Sequence, residues 1–165
     1  MRLRAVAAHD LPELWPQLRE RVASCCARSG GKYEPLDVLM HCLSRRMDLW
    51  LAIENRDGES CEPAAPTHAG APAGDLAWRP ADRECARIAA LAITEIVVYP
   101  RITVCKLLAC TGDDAQRWID LLAPLETWAK AQGCAVMEPI CRPGWERQLK
   151  PAGYRKTHVV LEKSL

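Results

Sequence analysis

The chain has 165 residues, with 22 Lys and Arg against 21 Asp and Glu, for a formal charge of +1. That length suits one globular domain with a real core, and the even charge balance excludes a chain-wide cationic surface for nucleic acid. A hydrophobic fraction of 49% and a charged fraction of 26% exclude disorder over the whole chain.

The opening MRLRAVAAHDL lacks the apolar stretch of a secretion signal, and no run of about 18 apolar residues suggests a membrane span. A cytoplasmic protein is expected, or one carried inside an assembly. Leu3 to Ala7 reads as a short strand, and Asp10 with Pro12 as a helix entry. Leu14, Leu18, Val22 and Cys25 or Cys26 recur at helical spacing and make one apolar stripe. Ser29, Gly30 and Gly31 end that helix, and Pro35 starts a second through Leu36, Leu39, Met40 and Leu43.

Asp48 to Glu54 has strand length and an apolar interior. Residues 55–84 hold Gly58, Pro63, Pro66, Gly70, Pro72, Gly74 and Pro80, so they read as a loop insertion within a single domain spanning 1–165. Ile88 to Tyr99 and Ile102 to Cys110 are β-branched and apolar, and read as two central strands joined at Tyr99-Pro100-Arg101. A turn at Thr111-Gly112-Asp113-Asp114 leads into a helix carrying Trp118, Leu121, Leu122, Leu125, Trp128 and Ala129 on one face. Pro124 predicts a kink or a restart there, because an interior proline costs about 3 kcal/mol. Gly133 ends the unit. Ala135 to Ile140 reads as a strand, Pro143 as the start of a short helix with Trp145 and Leu149, and Tyr154 to Lys163 as a last strand.

This order predicts an α/β protein with a central mixed sheet and helices on both faces. It is not the serial alternation of a dinucleotide-binding fold, and no GxGxxG follows any strand. Nine cysteines, an odd number without close CxxC spacing, predict mostly reduced thiols. His9, His41, His68 and His158 are scattered, so no metal group is expected.

From Asp48 onward the chain resembles the GNAT superfamily of acetyl-CoA-dependent N-acetyltransferases. The likeness lies in the helix ending at Ala129, the AQGC turn, the AVMEPI strand, the RPGWERQL helix and the AGYRKTHVVLEK close. TEIVVYP, WAKAQGC and CRPGW are similar to atypical GNAT-like proteins of bacteriophages and prophages. The resemblance implies acetyl-CoA in a splay between two parallel strands, along Leu107, Leu108 and Cys110. Its pyrophosphate would sit at the Thr111, Gly112, Asp113 and Asp114 turn, beside helix N-terminal amides. The plain reading of Asp113 and Asp114 is helix capping, with cofactor binding the alternative, since their charge opposes phosphate. The tyrosine that the family places as general acid matches Leu149, which has no proton to give. Tyr154 follows the glycine, where packing is expected, and a water or Cys141 is left to supply the proton.

Glu95 stands inside an apolar strand, where a carboxylate must be paired or used. It reads as the base for an attacking amine or as a structural partner of Arg101. Glu138 is the second candidate base. Cys110 and Cys141 lack an adjacent histidine and read as small apolar residues rather than nucleophiles. Arg142, Arg147, Lys150, Arg155 and Lys156 form a basic concentration, either an anion attractor or a solvated face. Two functions follow: acetyl transfer to a primary amine of a small molecule or protein, with backbone donors around Leu108 stabilising the oxyanion, or a non-catalytic GNAT-like component of a phage or prophage assembly. Partners under these readings are an amine acceptor, a second copy or an assembly protein. A nucleic-acid partner has only the basic C-terminal region in its favour.

Overall fold

The computed structural model describes residues 1–55, 76–79, 82, 86–112, 119–142 and 144–164. Five strands, β1 (Arg2–Val6), β2 (Asp48–Asn55), β3 (Ala86–Val98), β4 (Thr103–Gly112) and β5 (Val136–Pro139), form one sheet in chain order. The first four are antiparallel neighbours, and β5 lies parallel to β4. Helices α1 (Leu11–Cys26) and α2 (Pro35–Leu43) separate β1 from β2. Helix α3 (Leu122–Ala131) joins β4 to β5, and α4 (Trp145–Leu149) follows β5.

The predicted stripe of α1 is the one that is buried, with Leu14, Leu18, Val22, Cys25 and Cys26 against Leu49, Leu51, Leu91 and Ile93 of the sheet. On the opposite face Leu122, Leu125, Trp128 and Ala129 of α3 cover Leu3, Trp50, Cys105 and Leu107. The result is a mixed sheet with helices on both faces, as the sequence predicts. Pro124 falls in the first turn of α3, after a 3-10 turn over Ile119–Leu121, so the helix restarts where its missing donor costs nothing. Trp50 is fully buried; its indole N–H donates to Thr94 Oγ1 at 2.9 Å, and its ring meets Trp128 edge to face at 4.6 Å.

The insertion predicted for 55–84 lies largely outside the described residues. Its returning part covers the free edge of β1: Ala77 bridges to Ala5, and Trp78 N–H donates to the Ala5 carbonyl at 2.8 Å. Buried Asp82 holds it there, accepting from Arg4 Nε and from the Arg79 amide, each at 3.0 Å.

Two expectations are corrected. Thr111 and Gly112 belong to β4, paired with Leu91 and Ala90, rather than to a turn. Tyr154 to Lys163 forms no strand. Its apolar run is just Val159 to Leu161 between charged flanks, and the available edge, β5, is four residues long and ends in a proline. The segment is instead an irregular strap. It passes from α3, where Tyr154 donates to Glu126 at 2.6 Å, by way of Glu138 near His158, to an ion pair between Glu162 and Lys32 on the α1–α2 turn.

Gly112 is required by close approach, since a Cβ there would lie 2.4 Å from the Ala90 Cβ and 2.9 Å from the Ala89 carbonyl oxygen. Gly112→Ala is expected to lower unfolding free energy by about 1–3 kcal/mol in urea titration, the range of overpacked sites. Adding Ala90→Gly should recover part of that loss; a double variant no better than the sum of the two singles would contradict the contact.

Candidate functional site

The site begins with one irregularity in β4. Thr94 pairs with Leu107 and Ile93 pairs with Ala109, so Leu108 is an extra residue on β4 with no partner on β3. Such a bulge bends and twists its strand and breaks side-chain alternation. Accordingly Leu107 packs on the α3 side of the sheet, while Leu108 and Ala109 both turn toward α1 and α2. The parallel ladder with β5 runs from Val104↔Val136 to Leu107↔Pro139 and closes with the Ile140 N–H on the Leu107 carbonyl at 2.9 Å. Past that bond, among the described residues, β4 pairs with β3 alone.

Where the strands part, a cavity of about 340 Å³ opens. One wall is β4 from Leu107 to Cys110; another is Pro139 to Arg142 with Trp145 and Leu149 of α4. The third is the end of α1 and the turn after it, including Arg28, Lys32 and Tyr33. Gly30 and Gly31, at φ 68° and 77°, make the tight reversal that presents Lys32 and Tyr33.

The predicted residues divide. Leu107, Leu108 and Cys110 line the cavity. Thr111 and Gly112 continue the same strand, and Asp113 and Asp114 lie outside the described residues. Glu95 and Glu138 do not line the cavity; they stand opposite Lys106 from either side, in the rank of β3, β4 and β5 next to the parting point. Lys106, not Arg101, is therefore the cation facing Glu95. The Tyr99 side chain, whose ring centre is 5.6 Å from the ammonium, raises the Lys106 pKa, and Glu138 and Glu95 add to the rise. Leu149 is buried at the cavity wall and offers no proton. Tyr154 is tied to Glu126; burial and that carboxylate push its phenol well above the usual range.

The seven described cysteines are free thiols. Burial pushes Cys110 up to about 12, so it stays neutral and is not a nucleophile. Cys141, exposed at the cavity rim, is also raised, by burial and then by Glu146.

Lys106, Arg28, Lys32 and Tyr33 were not singled out from sequence. Lys106 lies inside an apolar strand just as Glu95 does, and pairing the two strands by their common turn would have matched them. Arg28, Lys32 and Tyr33 sit in a glycine-rich turn that reads locally as a helix stop.

No family model matches the chain, and no curated protein does either. Solved structures do. A ribosomal-protein-alanine N-acetyltransferase from Brucella melitensis biovar Abortus 2308 superposes with a TM-score of 0.59 at 9% identity, covering 100% of both chains. The aminoglycoside N-acetyltransferase AAC(6')-Iy in complex with CoA gives 0.54 at 16% identity, covering 99% of this chain and 98% of that one. A predicted acetyltransferase with acetyl-CoA from Clostridium acetobutylicum gives 0.57 at 13%, covering 98% and 94%. At identities this low the superpositions show a shared fold and no more, the fold of these acetyltransferase structures.

The buried thiols set a pH dependence. Burial pushes Cys42, Cys105 and Cys110 up to about 12 and Cys25 to about 11. In the unfolded chain thiols ionise near pH 8.5, so the raised folded values stabilise fully below that pH and the contribution is lost as pH climbs toward 12. Urea midpoints should hold between pH 7 and 8 and fall from pH 9 to 11. Cys110→Ala should flatten the fall, and an unchanged slope in that variant would contradict the assignment.

Proposed function

We propose that the chain is an acetyl-CoA-dependent N-acetyltransferase acting on a primary amine. The observation that carries this reading is the parting of β4 from β5 at Leu108 with an apolar-walled cavity behind it. Relatives of the same fold that hold CoA or acetyl-CoA support it. The residues fit the cofactor: the strand edge from Leu108 to Cys110 offers peptide groups to the amides of a pantetheine arm, and Ile140 and Leu149 offer apolar contact to its stem. When bound, acetyl-CoA supplies an activated acetyl thioester.

The chain's own residues do the rest. Peptide N–H groups at the Leu108 bulge would stabilise the negative charge that a thioester carbonyl develops under attack. Glu95, through one water, takes the proton that the amine nitrogen sheds as the new C–N bond forms. Lys106 supplies the positive charge that lets Glu95 and Glu138 face each other across β4. Cys141, whose thiol burial and then Glu146 hold above its usual range, lines the same cavity and would supply the proton that a departing thiolate takes up. A cytoplasmic location fits both a supply of acetyl-CoA and the free thiols.

Leu149 in place of a proton donor favours a second reading, a non-catalytic scaffold of this fold such as a phage or prophage assembly component. Calorimetry separates the two: saturable acetyl-CoA binding is expected, and no heat from folded protein would leave the scaffold. With a turned-over amine in hand, Glu95→Gln should lower kcat about 10²-fold with the acetyl-CoA KM unchanged. Unaltered kcat would remove Glu95 from the mechanism.

A further inference from the structure

The charges on the cavity wall are of one sign. Among the described lining residues Arg28, Lys32 and Arg142 are cationic, and no lining residue is acidic. This is a local departure, because the whole chain is balanced at +1. Arg28 and Lys32 come from the α1–α2 turn, and Arg142 follows β5 on the other side of the opening. Arg142 makes no ion pair among the described residues. Of the carboxylates of the neighbourhood, Glu95 and Glu138 face Lys106 outside the lining, and Glu34, Asp37 and Glu146 stand close to the lining thiols Cys26 and Cys141 without lining the cavity themselves.

One of these cations already holds a carboxylate of the chain. The strap brings its own carboxylate, Glu162, onto the Lys32 ammonium; the other oxygen of the same carboxylate lies 3.5 Å from where a Cβ on Gly30 would stand. Both partners are more than half exposed, at 58% and 57%, so the pair is a weak, solvent-screened contact that another carboxylate can replace.

We infer that the acceptor amine carries a carboxylate, held by Arg28 and Lys32 with Arg142 across the opening, and that Glu162 engages Lys32 alone when no acceptor is bound. The inference deepens the acetyl-transfer reading and depends on it for the amine. It selects amino acids and peptides with a free carboxylate near the amine. It disfavours polycationic amines such as aminoglycosides and polyamines, which would bring like charge into the cavity.

The carboxylate is tested without turnover. N-acetyl-L-alanine, a product-class probe, and its neutral amide are titrated separately into the full chain by calorimetry. The acid should bind about tenfold or more tighter than the amide. Arg28→Gln and Lys32→Gln, both on exposed side chains, should each weaken the acid about two- to fivefold and leave the amide unchanged, whereas Glu162→Gln should tighten the acid by a similar factor. Equal binding of acid and amide, or no binding of the acid, overturns the inference. Acetyl-CoA is titrated into the same variants: if Arg28→Gln and Lys32→Gln weaken acetyl-CoA instead of the acid, the cations serve the cofactor and the inference also fails. Acid binding without acetyl-CoA binding would keep the carboxylate site and remove acetyl transfer. In a turnover assay, spermidine acetylated faster than L-alanine would overturn the acceptor class.

Discussion

One unpaired residue in a central strand governs the architecture of the site. A parallel pair of strands, left regular, would stay hydrogen-bonded to its ends, because unpaired peptide groups inside a fold are costly. Leu108 removes that option. As the surplus residue of a bulge it shifts the register of β4 against β3. The opposite residue, Thr94, is fully buried and hydrogen-bonded to Trp50, which is itself packed on Trp128. β5 is short and ends at Pro139. Among the described residues, the peptide groups of β4 past Leu107 have no partner on β5, and the cavity opens where the two strands part.

Polar side chains are arranged around that opening in two sets. Glu95, Lys106 and Glu138 form an alternating rank across three strands, an arrangement in which opposite charges stand at neighbouring cross-strand positions. Of the rim cations, Lys32 is met by a carboxylate from the strap, Glu162. The same segment binds Glu126 through Tyr154 at one end and Lys32 through Glu162 at the other, so it reaches both faces of the sheet without joining it.

Most of the fold was legible in the sequence because its elements carry strong local signals. The α1 stripe, the proline at the start of α2, the β-branched runs of β3 and β4 and the restart at Pro124 all appear as predicted. The splay strand was also legible, through the family resemblance and not through periodicity. The bulge itself was not: Leu107, Leu108 and Ala109 are three apolar residues in a row, and register depends on the partner strand, which sequence spacing does not reveal. The last strand failed for a related reason. Val159 to Leu161 has strand propensity, but a strand needs an edge to accept it, and β5 offers four residues. The partner of Glu95 was misplaced because Arg101 is near in sequence, whereas cross-strand pairing selected Lys106.

The central claim is that the opening at Leu108 admits a pantetheine arm between β4 and β5. A crystal structure of the full chain grown with acetyl-CoA tests it most directly. The account predicts the arm lying along Leu108 to Cys110, with the thioester carbonyl hydrogen-bonded to the bulge amides and the ladder still ending at Leu107 and Pro139. A fully paired β4–β5 ladder, or a cavity filled by side chains with the cofactor bound elsewhere, would contradict it.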